Sequence, residues 1–130
     1  MKRQRELAEL FLKKAIQDIN LLDTILENRG IDDEIFGFHA QQAAEKFLKS
    51  VLAAKAIAFP KTHDLRELRN LLAKAKVELP AVVDELEELT DFAVMFRYDD
   101  VRTSASLDRK TIHQRLQKLK QWSEKNIKIT

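Results

Sequence analysis

Four polar side chains in one stretch could recognise an anion. His39, Gln42, Lys46 and Lys49 follow one another at steps of three, four and three, so on a helix they share one face. The two ammonium groups would supply positive field, and the imidazole and carboxamide could orient a base or a ribose. Gln41 and Glu45 lie beside this face, and Glu45 stands at i,i+4 to Lys49, where the two can pair. The same spacing also suits a solvated amphipathic face or a polar interface between subunits. A second candidate is Arg97-Tyr98-Asp99-Asp100, directly behind Met95-Phe96. A guanidinium fork matches a phosphate group bidentately. The alternative is a structural salt bridge from Arg97 to Asp99 or Asp100.

Other chemistries find little support. The chain has no cysteine, which excludes a disulfide framework, a thiolate metal site and a Cys nucleophile. None of His39, His63 and His113 lies three or four residues from another histidine, so no metal site and no cofactor are expected. No glycine-rich phosphate loop or nucleophile elbow occurs. Arg109 and His113 stand one helical turn apart and read as an ordinary surface pair. His63 reads as a surface residue too.

These residues need elements to position them. Apolar side chains recur near a period of 3.6 almost throughout, and no segment alternates with period two. Ala8, Leu12, Ala15, Ile19, Leu22 and Leu26 form the first stripe, stopped by Asn28-Arg29-Gly30 with Gly30 as a left-handed cap. Asp32 or Asp33 caps the second helix, whose stripe is Phe36, Ala40, Ala43, Phe47, Val51 and Ala54 and whose end is set by Phe59-Pro60. Thr62 is the expected N-cap of a shorter helix bearing Leu65, Leu68, Leu72 and Ala75. Pro80 opens a fourth, with Val82, Leu86, Leu89, Ala93 and Phe96, and Ile112, Leu116, Leu119 and Trp122 define a fifth. The expected fold is all-α, an up-and-down antiparallel bundle of four main helices plus a short extra one, in a single domain over residues 1–130.

Charge is unevenly spread. Residues 78–100 carry eight acidic side chains against Arg97 alone, −7, whereas residues 102–130 carry eight basic against two acidic, +6. A basic terminal helix can attract nucleic acid. Neutralisation between neighbouring helices is the plainer expectation. Apolar runs are far shorter than the roughly 20 residues a membrane span needs. The basic start, Met1-Lys2-Arg3-Gln4-Arg5-Glu6, lacks the apolar core of a signal peptide. A cytoplasmic protein without membrane contact is expected.

Three stretches together resemble a known family. Phe38-His39-Ala40-Gln41-Gln42-Ala43-Ala44-Glu45-Lys46-Phe47-Leu48-Lys49 is similar to the second-helix signature of HEPN domains. Phe59-Pro60-Lys61-Thr62-His63-Asp64-Leu65 resembles the loop and third-helix start of that family, and Phe96-Arg97-Tyr98 resembles its Arg-Tyr element. The resemblance implies a helical bundle, usually dimeric, from a prokaryotic cytoplasm and often paired with a minimal nucleotidyltransferase in a toxin-antitoxin-like system. Some members are metal-independent ribonucleases whose site resembles an Arg followed four to six residues on by a His. Here, with four to six residues between, the positions after Arg97 hold Arg102, Thr103 and Ser104. The expectation is therefore a non-catalytic module that binds nucleotide or a partner protein. Its nucleotide-binding residues would be Arg97, Tyr98, His39, Gln42, Lys46 and Lys49, and it would form a homodimer through the polar side of the second helix. The alternative is a metal-independent ribonuclease toxin with an atypical site.

Overall fold

A computed structural model describes residues 2–91 and 107–128, the side chain of Lys2 excepted. Among the described residues every regular element is helical: α1 (Lys2–Ile25), α2 (Asp33–Ala54), α3 (Leu65–Lys74), α4 (Val82–Leu86) with a 3₁₀ turn at Glu87–Leu89, and α5 (Arg109–Lys128). The expected all-α bundle is the observed one.

The apolar stripes dictate the packing. Ala15, Ile19 and Leu22 of α1, Phe36, Ala40, Ala43, Phe47 and Val51 of α2, and Leu116 and Leu119 of α5 are buried in one core, which Leu65, Leu68, Leu72, Leu86 and Leu89 complete. Cross-helix contacts fix the directions. Ala8 near the start of α1 meets Ala53 at the end of α2 and Ile127 at the end of α5, while Ser50 and Ser123 pair at 2.6 Å. Thus α1 runs antiparallel to both α2 and α5. The two serines donate to or share the Phe47 carbonyl, and their small side chains let α2 and α5 approach closely.

Helix ends depart from expectation at Gly30, at the stop of α2 and at the N-cap of α3. No glycine has positive φ: Gly30 instead donates its N–H to Asn28 Oδ1 at 2.9 Å in a side-chain-closed turn. Helix α2 stops at Ala54, short of Phe59-Pro60, because Ala56 adopts φ 58°. Ala56 N–H then donates to Ala53 O and Ile57 N–H to Leu52 O, the paired bonds of a Schellman end. Lys76, at φ 62°, closes α3 the same way through Ala73 O and Leu72 O. The N-cap of α3 is Asp64, whose carboxylate accepts from Arg66 N–H, while Thr62 Oγ1 accepts from Asp64 N–H.

The fourth helix is broken after Leu86 by its 3₁₀ turn. Three residues per turn stack Leu86 and Leu89 on one side, and both are buried. Ala93 and Phe96, expected on its stripe, lie outside the described residues. The acidic segment is neutralised from two sides: Arg66 and Arg69 of α3 reach Glu87 and Asp84, and Arg115 of α5 reaches Glu85 at 2.7 Å.

Candidate functional site

Helix α2 is the central element, and its polar side is built into two clusters. The first surrounds Glu45, which is nine-tenths or more buried. Its Oε1 accepts from His63 Nδ1 at 2.8 Å and from Gln41 Nε2 at 3.0 Å, and its Oε2 accepts from Lys49 Nζ at 2.8 Å. Gln41 also donates to the His63 carbonyl and accepts from Gln42 Nε2. The Lys49 ammonium lies 6.0 Å from the centroid of Phe59, which packs edge-on against Phe11. A buried carboxylate is costly unless its lone pairs are used, and here three donors use them. His63, with about half its side chain exposed, connects the cluster to the surface.

The second cluster straddles α1 and α2. Asp18 of α1 accepts from Lys46 Nζ at 2.8 Å through Oδ2 and faces His39 Nδ1 at 3.3 Å through Oδ1. Ile35, Phe38, His39, Gln42 and Lys46 remain half-buried along the open edge of α2.

A third charged group sits elsewhere. Arg109, expected at the surface, is buried. Its Nε donates to Asp33 Oδ1 at 2.9 Å, and Nη1 donates to the Ile25 and Asn28 carbonyls at 2.9 and 3.2 Å. Nη2 donates to the Ile31 carbonyl, and the guanidinium lies over the Phe36 ring. The carbonyls at a helix C-terminus carry partial negative charge and lack intrahelical donors, which is why an arginine turns inward there. His113 does not join Arg109 but pairs with Asp23 of α1.

The chain belongs to the HEPN domain family. The family model matches residues 8–127, every described helix wholly or in large part. A relative in Methanocaldococcus jannaschii, named "Putative toxin MJ1304", is 29% identical over 99 residues, a match spanning 72% of this chain and 64% of the relative. No solved structure matches.

Within this HEPN domain the structure separates the residues the sequence grouped. Gln42 and Lys49 belong to the Glu45 cluster, whereas His39 and Lys46 belong to the Asp18 cluster. Arg97 and Tyr98 lie outside the described residues. The Glu45–Lys49 pair was visible as an i,i+4 spacing. Asp18 and His63 were not, since their partners lie 28 and 18 residues away in sequence. The one available signal for Asp18 is a carboxylate directly before Ile19, on the shoulder of an apolar stripe.

Among the described residues no helix is long and apolar enough to cross a membrane.

Proposed function

We propose that this HEPN domain is a toxin-like cytoplasmic binding module: a homodimer that holds a nucleotide or a minimal nucleotidyltransferase partner and leaves RNA uncut. The relative named as a toxin supports the toxin-like part. The observation that carries the non-catalytic part is the stretch after Arg97: with four to six residues between, the positions hold Arg102, Thr103 and Ser104, and no histidine stands at the family's nuclease interval. Each imidazole faces a carboxylate, His39 that of Asp18, His63 that of Glu45 and His113 that of Asp23.

Phosphate recognition then falls chiefly to Arg97, whose fork suits a phosphate and is always charged. Tyr98 adds an aromatic face with a hydroxyl, and His39 and Gln42 border the base or ribose. Lys46 and Lys49 contribute little net field, because Asp18 and Glu45 offset their charges at 2.8 Å.

The ribonuclease reading has one observation in its favour. Glu45 orients His63, and a carboxylate-held, half-exposed imidazole is a reasonable general base. Incubating the purified chain with single-stranded RNA and a chelator separates the two. No cleavage is expected. Cleavage abolished by His63→Ala or Arg97→Ala would establish the enzyme instead.

A further inference from the structure

The large hydrophobic side chains left exposed on the described surface all belong to α1: Leu7 (41%), Leu10 (47%) and Leu21 (38%). Their spacing is not scattered. Leu7 and Leu21 are two heptads apart, and Leu10 takes the intervening d-type position, with Lys14 and Gln17 completing the row. This row lies outside the stripe Ala8, Ala15, Ile19, Leu22 that α1 spends on the core. An amphipathic helix inside a bundle needs one apolar stripe; α1 carries three exposed leucines besides it, with Lys14 and Gln17 between Leu10 and Leu21. Their row adjoins the half-buried edge of α2 through Asp18, which bonds Lys46 and faces His39.

The charge along α1 says which occupant suits this row. Residues 2–14 hold five basic side chains against two acidic, +3, and residues 15–27 hold three acidic and none basic, −3. A second copy of α1 laid antiparallel therefore sets each basic half against an acidic half. A parallel copy would set like against like. Two-fold symmetry is the natural operator for such a self-complementary row. In the register that sets Leu10 of each copy against Leu21 of the other, Leu7 lies against Thr24, and Lys14 lies against Gln17.

We infer that α1 is the dimer interface of this protein, pairing antiparallel with α1 of a second copy through Leu7, Leu10 and Leu21. The inference rests on the homodimer reading above and moves its interface. The polar side of α2 is committed to Asp18 and Glu45 within the subunit, so it borders the contact instead of forming it.

Light scattering of the full chain at micromolar concentration should give twice 15.1 kDa. The double variant Leu10→Glu/Leu21→Glu should give 15.1 kDa with an unchanged far-ultraviolet circular dichroism spectrum, since both positions are exposed. The absence of cysteine permits a second test: Leu10→Cys/Leu21→Cys should form an intermolecular disulfide on mild oxidation, and it decides the matter if the glutamate variant does not fold. A wild-type monomer would overturn both the dimer and this interface. A dimer that persists in the folded glutamate variant, or that resists cross-linking through these cysteines, would overturn the interface alone.

Discussion

Arg109 and Glu45 are both buried ionic centres, yet they are built from different partners. Arg109 gives most of its donors to backbone carbonyls of the α1–α2 connection. Glu45 takes every bond from side chains, and one of these belongs to a half-exposed histidine. A charge spent on the main chain holds the fold together and is shut off from ligands. A charge spent on side chains that reach the surface is adjustable, because those side chains can turn toward a bound molecule. We propose that the working side of this HEPN domain is α2 and the α2–α3 connection; its fastening is the corner where α1, α2 and α5 meet.

The largest predicted effect is at the fastening. Arg109→Ala strips a donor from three carbonyls and leaves Asp33 without its guanidinium, and should lower stability by about 3–5 kcal/mol in chemical denaturation, the scale of a broken buried pair. Arg109→Lys should recover only part of this, because one ammonium cannot replace a planar fork. Full recovery by lysine would show that charge, not geometry, is what Arg109 supplies.

Glu45→Gln should cost less, about 1–3 kcal/mol, since the amide keeps an acceptor but leaves the Lys49 ammonium without a counter-charge. If this variant is as destabilised as Arg109→Ala, the two centres are equally structural and the contrast between them fails.

A gain is expected just past the end of α2. Ala56 holds a left-handed backbone that disfavours a side chain. Ala56→Gly should therefore raise stability by about 0.5–1 kcal/mol, read as a higher denaturation midpoint.

The smallest effect concerns the start of α5, beside Arg109. The Thr111 hydroxyl and backbone N–H both donate to Asp108 and hold its carboxyl below its ordinary value of 3.8. A lowered carboxyl favours the folded state above that ordinary value, and the benefit is lost as pH falls through the lower folded value. Asp108→Ala should thus melt earlier than wild type at pH 7, and the gap should close under strongly acid conditions. A gap that persists there would assign the effect to the neutral Asp108 side chain rather than to its charge.

Much of the fold was legible because helices repeat. Phe36, Phe47, Leu68 and Leu116 are buried where their stripes put them. The stops of α2 and α3 were not, because Ala56 and Lys76 occupy positions where glycine is the usual sign. Arg109 was misread for a related reason: three of its partners are carbonyls, which carry no residue identity, and these and Asp33 lie 76 to 84 positions away. In the candidate site the Glu45–Lys49 spacing was local and therefore readable. Asp18 and His63 reach α2 only through tertiary packing, so nothing in their immediate surroundings announced them.

The central claim, binding without cleavage, is tested most directly by titrating a nucleotide into the wild-type chain and Arg97→Ala. Saturable binding to the wild type is expected, weakened about 10- to 150-fold in the variant, which corresponds to the 1.5–3 kcal/mol of a charge-assisted hydrogen bond. Equal affinity in a folded Arg97→Ala variant would contradict the account, and so would the absence of any nucleotide and partner-protein binding by the wild type.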